Sequence, residues 1–213
     1  MRPSLHQARF YGILDSGYLS DVAAYEAKAR ALIDGGADIV ELRAKDADEA
    51  VLRGLIERVL PLFVEAGIPL TLNDAVALAA EYDGLGAHIG QDDMDVAEAR
   101  RLLGEDRVLG LSTHSLTQAS EAMTQTAHLD YFCVGPVFAT ATKPEYAAVG
   151  LELLSEVAAL QPPLPWFAIG GVNRATMDAV QAAGAPRVVV VSDALQAEDT
   201  ALVVREIRGR FAS

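Results

Sequence analysis

Asp74 and Asp93 each follow a short apolar run, and so do the cations Arg43, Lys45 and Lys143. Paired carboxylates of this kind suit a hard divalent cation. Mg²⁺ takes one or two protein carboxylates and completes its shell with water and substrate phosphate oxygens. Arg43 and Lys45 are two residues apart, so on an extended strand they point the same way. With Lys143 they form an anion-binding group in an otherwise acidic chain. Gly170-Gly171 and Ser192 follow later apolar runs. A glycine turn and a serine opening a helix can hold phosphate through backbone N–H groups. Carboxylates for a metal and cations for an anion are what a metal-bound polyphosphate requires. Plainer roles stay open for each group. Asp74 can cap a helix starting at Ala75, and Asp92 or Asp93 the helix after it. The cations can form surface ion pairs, and Gly170-Gly171 with Ser192 can be a turn and a helix cap.

Residues so far apart need a scaffold that gathers strand ends at one face. Eight short runs read as strands: Phe10–Leu14, Ala37–Leu42, Pro69–Leu72, Ala87–Gly90, Val108–Leu111, Tyr131–Val137, Trp166–Ile169 and Arg187–Val191. The β-branched run Val188 to Val191 is expected of a parallel strand buried on both faces. Helical spacing lies between the strands, as in Val51, Leu55, Ile56, Val59, Leu60 and Phe63. Glycine at Gly35-Gly36, Gly67 and Gly184 supplies the left-handed turn that ends a helix. Eight strands alternating with about eight helices predict a single-domain α/β chain, a (β/α)₈ TIM barrel spanning 1–213, whose site lies at the C-terminal ends of the strands. An open doubly wound sheet would carry a glycine-rich nucleotide turn after its first strand. Here that position holds Asp15-Ser16-Gly17-Tyr18. The longest irregular stretch, Ala139 to Val149, is expected to be functional.

With 213 residues, 51% of them hydrophobic, the chain has enough apolar material for one sizeable core. A net charge of −13 argues against a general nucleic-acid surface, which needs Lys and Arg patches. One cysteine, Cys133, excludes an internal disulfide and fits a reducing compartment; its apolar surroundings predict an inert core thiol. No apolar stretch reaches the ~18 residues of a membrane helix, and Met1 to Arg9 lacks an apolar signal core. A cytoplasmic location is therefore expected. Among the histidines, His88 alternates into a strand as a core or barrel-lining residue, whereas His114 follows the fifth strand. His6 is in the tail and His128 at a helix end.

Taken in order, several motifs resemble the thiamine phosphate synthase family. They are Glu41-Leu42-Arg43-Ala44-Lys45, Leu72-Asn73-Asp74, His88-Ile89-Gly90-Gln91-Asp92-Asp93, Gly110-Leu111-Ser112-Thr113-His114, Gly135-Pro136-Val137-Phe138-Ala139-Thr140-Ala141-Thr142-Lys143, Ile169-Gly170-Gly171 and Val191-Ser192. The resemblance runs from Tyr11 almost to the C-terminus. It implies a (β/α)₈ barrel that uses Mg²⁺ to join a hydroxymethylpyrimidine diphosphate to a thiazole phosphate, releasing pyrophosphate. It implies a dissociative reaction, in which the bond to pyrophosphate breaks before the thiazole nitrogen attacks. By the same resemblance Asp74 and Asp93 hold the metal. Glu41, Arg43, Lys45, Asn73, Ser112 and Lys143 bind the pyrimidine diphosphate, with Arg43, Lys45, Ser112 and Lys143 the catalytic set. Thr140, Ala141, Thr142, Gly171, Val191 and Ser192 hold the thiazole phosphate. Glu41 stands where the family usually has glutamine. A glutamine donates and accepts hydrogen bonds, and an ionised glutamate only accepts.

Other readings remain open. The sister thiazole tautomerases share the barrel but use a histidine where this chain has Pro136, and they lack the second metal aspartate. A Schiff-base aldolase would use Lys45 as nucleophile. A non-catalytic barrel would bind thiamine phosphate without turnover. Small phosphorylated molecules are the expected partners, and the sequence leaves the oligomeric state undetermined.

Overall fold

Side chains on a strand alternate between its two faces, and here that alternation separates two cores. The computed structural model describes residues 3–45, 47–139 and 147–211. Its strands are β1 (Phe10–Asp15), β2 (Ile39–Arg43), β3 (Leu70–Asn73), β4 (Leu85–Ile89), β5 (Leu109–Thr113), β6 (Tyr131–Val134), β7 (Trp166–Ala168) and β8 (Val188–Val190). Each pairs in parallel with its neighbours, and β1 pairs with β8, so the sheet closes into a barrel. One residue set faces outward: Phe10, Leu14, Val40, Leu42, Leu70, Leu72, Val188 and Val190 pack on the helix layer. The alternate set fills the barrel interior: Tyr11, Ile13, Ile39, Tyr131, Cys133, Phe167 and Val189. Cys133 is the buried core thiol expected of it.

The helices α1 (Val22–Gly35), α2 (Glu49–Ala66), α3 (Val76–Ala79), α4 (Val96–Leu103), α5 (Leu116–Thr124), α6 (Gly150–Ala159), α7 (Met177–Ala182), α8 (Ser192–Leu195) and α9 (Thr200–Arg210) surround the barrel. Asp21, Asp48, Asp95, Ser115 and Asp199 cap five of them through their side chains. The capping roles open to Asp74, Asp92 and Asp93 are thus not the ones found. α4 is capped by Asp95, and α3 has no side-chain cap. Val51 falls outside the apolar stripe of α2: it is 52% exposed, whereas Leu55, Ile56, Val59, Leu60 and Phe63 are buried.

Strand boundaries depart from expectation where polarity or proline intervenes. β6 stops at Val134 rather than Val137, because Gly135-Pro136 follows and proline has no N–H for the ladder. β2 and β5 run further than their apolar runs, taking in Arg43 and Ser112-Thr113. Polar residues here are part of the strands themselves, as the top of the barrel interior is polar. Among the described residues no helix is long and apolar enough to cross a membrane.

Candidate active site

The cleft opens at the C-terminal end of the barrel and is lined by strand residues with their side chains inward. Ile13, Glu41, Arg43, Asn73, His88 and Ser112 form one side and the floor. Gly135, Pro136, Ile169, Gly170, Gly171, Val191 and Ser192 form the other, with His114 at the edge. Of the residues singled out from the sequence, Glu41, Arg43, Asn73, Ser112, Gly171, Val191 and Ser192 therefore meet in one place. Lys45 does not join them. β2 ends at Arg43, so strand alternation no longer governs position 45, and Lys45 is exposed on the following turn. Thr140, Ala141, Thr142 and Lys143 lie outside the described residues.

Arg43 is 5% exposed and donates from Nη1 to Asp15 Oδ2 at 2.6 Å. The ion pair fixes the guanidinium at the cleft wall. Its Nε is buried without a hydrogen-bond partner among the described residues. A buried donor left unsatisfied costs roughly 1–3 kcal/mol, which an anion reaching it would recover. Asp15 was read from sequence only as the absence of a nucleotide turn. The signal was alternation, since Tyr11, Ile13 and Asp15 share one face of β1.

Asp74 and Asp93 sit just beyond β3 and β4, both tied to the end of β4. Asp74 takes a left-handed φ of 61°, and its N–H donates to the His88 carbonyl at 2.8 Å. Its Oδ2 accepts from Asn73 Nδ2 at 2.5 Å. Asp93 Oδ2 accepts from the Gly90 N–H at 2.6 Å. Both carboxylates are exposed.

Below the cleft lies a polar group that the sequence did not bring out. Tyr11 Oη donates to Glu41 Oε2 at 2.5 Å and lies 3.0 Å from Tyr131 Oη. Tyr131 Oη is 2.9 Å from His88 Nδ1, and His88 Nε2 is 2.9 Å from Ser112 Oγ. His88 is thus barrel-lining, as expected, and it also reaches the cleft. Burial, reinforced by the charge of Glu41, pushes both phenols well above their usual pKa, with the buried Cys133 adding to the effect on each. Gly110 makes room for this arrangement: a Cβ there would come 2.1 Å from the Tyr131 ring.

On the other wall the glycine turn is built for close backbone approach. Gly170 has φ 95° and Gly171 φ 67°, and a Cβ on Gly170 would lie 2.4 Å from Pro136. Asn173 Nδ2 donates to the Gly171 carbonyl at 3.0 Å and anchors the turn. His114 Nδ1 lies 2.6 Å from the Gly135 carbonyl, which only accepts, so Nδ1 carries the proton and donates.

The family model described as thiamine monophosphate synthase matches residues 10–194. The chain belongs to the thiamine monophosphate synthase family. A relative named thiamine-phosphate synthase, from Acidothermus cellulolyticus, is 41% identical over 222 residues, spanning 100% of this chain and 99% of its own. Another of that name, from Chloroflexus aurantiacus, is 42% identical over 204 residues, spanning 94% and 91%. Among solved structures, a thiamine phosphate pyrophosphorylase from Pyrococcus furiosus superposes with a TM-score of 0.80 at 27% identity, covering 95% of each chain. As a member of the thiamine monophosphate synthase family the chain is an enzyme of the transferase class, and its closed barrel is the family's fold.

Proposed function

We propose that the chain condenses 4-amino-2-methyl-5-hydroxymethylpyrimidine diphosphate with thiazole phosphate, giving thiamine phosphate and pyrophosphate by a dissociative path. One observation carries most of this: a single cleft brings the buried Arg43 and the polar residues Asn73, Glu41 and Ser112 opposite a glycine turn and Ser192. The first wall suits an aminopyrimidine and its diphosphate, and the second suits a phosphate held by backbone N–H groups.

In the dissociative path the carbon–oxygen bond to pyrophosphate breaks first, and the thiazole nitrogen captures the pyrimidinylmethyl cation. Such a step needs no protein nucleophile. It needs a stabilised leaving group and an oriented acceptor. Arg43, held rigid by Asp15, meets the leaving group with a fixed charge. Glu41 accepts from the pyrimidine's exocyclic amine and favours the positive charge that develops nearby. Asn73, Asp74 and the Gly90–Asp93 turn fix the neighbouring edge of the cleft. Lys45 and Lys143 are further contacts for the diphosphate, and Thr140, Ala141 and Thr142 further contacts for the thiazole phosphate, in line with the family resemblance.

The donor chemistry of Asp74 and Asp93 fits magnesium. Both are hard carboxylates, exposed, and anchored to the end of one strand. Among the described residues no group of three or more His, Cys, Asp or Glu could hold a metal unaided. Two carboxylates shared with phosphate oxygens is the mode Mg²⁺ prefers. A magnesium ion held there supplies charge neutralisation for the departing pyrophosphate. A cytoplasmic setting belongs to the same proposal, supported by the absence of any cysteine pair.

The test is direct assay. Purified protein with both phosphorylated substrates and Mg²⁺ should form thiamine phosphate and pyrophosphate, and EDTA should abolish this. Undiminished turnover in EDTA would remove the metal assignment. No product with either order of addition would remove the synthase proposal.

A further inference from the structure

Five polar side chains are joined end to end beneath the cleft: Glu41, Tyr11, Tyr131, His88 and Ser112. The proposed reaction uses the two ends, which line the cleft, and leaves the three in the middle without a role. Counting protons gives them one. Tyr11 donates its only hydroxyl proton to Glu41. Thr71 also bonds to Tyr131 and, as the donor, takes no proton from it, so the 3.0 Å bond between the phenols uses the proton of Tyr131. Tyr131 has none left for the ring beside it, so His88 Nδ1 is the donor across 2.9 Å. A neutral histidine with its proton on Nδ1 has a lone pair on Nε2. Ser112 Oγ, 2.9 Å away, donates into that lone pair. The hydroxyl proton of Ser112 is thereby turned away from the cleft.

We propose that Tyr11, Tyr131 and His88 are positioning residues that carry the acceptor character of Glu41 through to Ser112, so that both ends of the chain present only lone pairs to the ligand. The group that Ser112 recognises is accordingly a hydrogen-bond donor, such as the amine of an aminopyrimidine, and not a phosphate oxygen. This deepens the synthase proposal and rests on it for the identity of the amine. The direction of the chain itself rests only on proton counting. Both phenols are held in the protonated form by burial, as the count requires.

The first measurement is the ¹⁵N chemical shifts of the His88 ring in the folded protein near pH 8, assigned by their loss in His88→Gln. A protonated Nδ1 with an unprotonated Nε2 is expected. The opposite tautomer, or protons on both nitrogens, would overturn the proposal. Tyr131→Phe removes the acceptor facing Nδ1 and should leave a mixed tautomer; an unchanged ring would show that Tyr131 does not set it. The second measurement separates amine from phosphate recognition. Ser112→Ala should raise the KM for the pyrimidine diphosphate about five- to tenfold, the effect of one neutral hydrogen bond. Its affinity for inorganic pyrophosphate, measured by calorimetry, should stay within about twofold of wild type. A parallel loss of pyrophosphate affinity would make Ser112 a donor to phosphate and sink the idea. The KM effect of Tyr131→Phe should vanish in the Ser112→Ala background, and additive effects would count against a connected chain. Absence of turnover would overturn the synthase proposal alone, because the ring shifts and pyrophosphate binding still report on the hydrogen bonds.

Discussion

At the scale of single residues, the aspartates are the ones whose two roles are now separable. Asp93 does not cap α4, which Asp95 does, so its tie to Gly90 is the part at stake for stability. Asparagine retains an oxygen for that N–H and loses the charge. Asp93→Asn is expected to unfold within a few degrees of wild type and to lose most of its rate, with weaker Mg²⁺ binding in calorimetry. A collapsed thermal midpoint with normal activity in the folded fraction would make Asp93 structural. Glu41 offers a second test. The glutamine oxygen has two lone pairs and can accept from both Tyr11 and the ligand's amine, so Glu41→Gln should preserve activity. Glu41→Ala strands Tyr11 and should weaken pyrimidine diphosphate binding by about 1–3 kcal/mol. Steady-state constants for both variants decide the matter, and two wild-type profiles would mean that Glu41 does not touch substrate. Glu41 and Arg43 were legible from sequence because alternation places them on one face. Lys45 was misplaced by the same rule, which holds only within a strand, and β2 ends at Arg43.

At the scale of elements, the legible part was the order of strands and helices, and the obscure part was what lay under the cleft. Apolar runs marked all eight strands. Polar tops such as Ser112-Thr113 were assigned to loops because a polar residue usually ends a buried strand, and in a barrel mouth it does not. The aromatic network was hidden for a different reason. Tyr11 and Tyr131 sit inside apolar runs, 120 residues apart, and only barrel closure shows that they touch. Arg100 was missed likewise, because a charge on a helix ordinarily reads as a solvated face. It is 2% exposed and bonds to the carbonyls of Gly104, Arg107 and His128 and to Asp130. Asp130 also accepts from the Leu109 N–H. This clamp sets the start of β5 against α4, beneath the strand that delivers Ser112. Arg100→Met leaves the half-buried Asp130 without the Arg100 cation, and breaking a fully buried pair costs about 3–5 kcal/mol, an upper bound here. The urea midpoint should fall accordingly while the activity of the folded fraction stays near wild type; an unchanged midpoint would show that the clamp is dispensable.

The whole molecule should carry a signature at alkaline pH. The buried Tyr25 is pushed up to about 12, chiefly by burial and further by the charge of Asp15. Tyr11 and Tyr131 are raised well above the usual phenol value, chiefly by burial. In the unfolded chain the same phenols ionise near 10. Above that pH the folded state binds more protons than the unfolded one, so stability falls as pH rises. Each such phenol contributes a slope of up to about 1.4 kcal/mol per pH unit until its own folded pKa is reached. Urea midpoints between pH 9 and 11.5 should decline, and Tyr25→Phe should flatten the decline. A midpoint that stays level over this range would contradict the burial of the three rings.

The strand register has one more consequence. A slip of β2 by a single residue would exchange its two faces. Glu41 and Arg43 would then be driven among the leucines and valines beneath the helices, and Leu42 would point into the mouth of the barrel. Burying two unpartnered charges there is far costlier than misplacing one leucine. The ligand-facing charges therefore act during folding as a proof-reader, rejecting any closure of the barrel that would have packed its greasy side chains equally well.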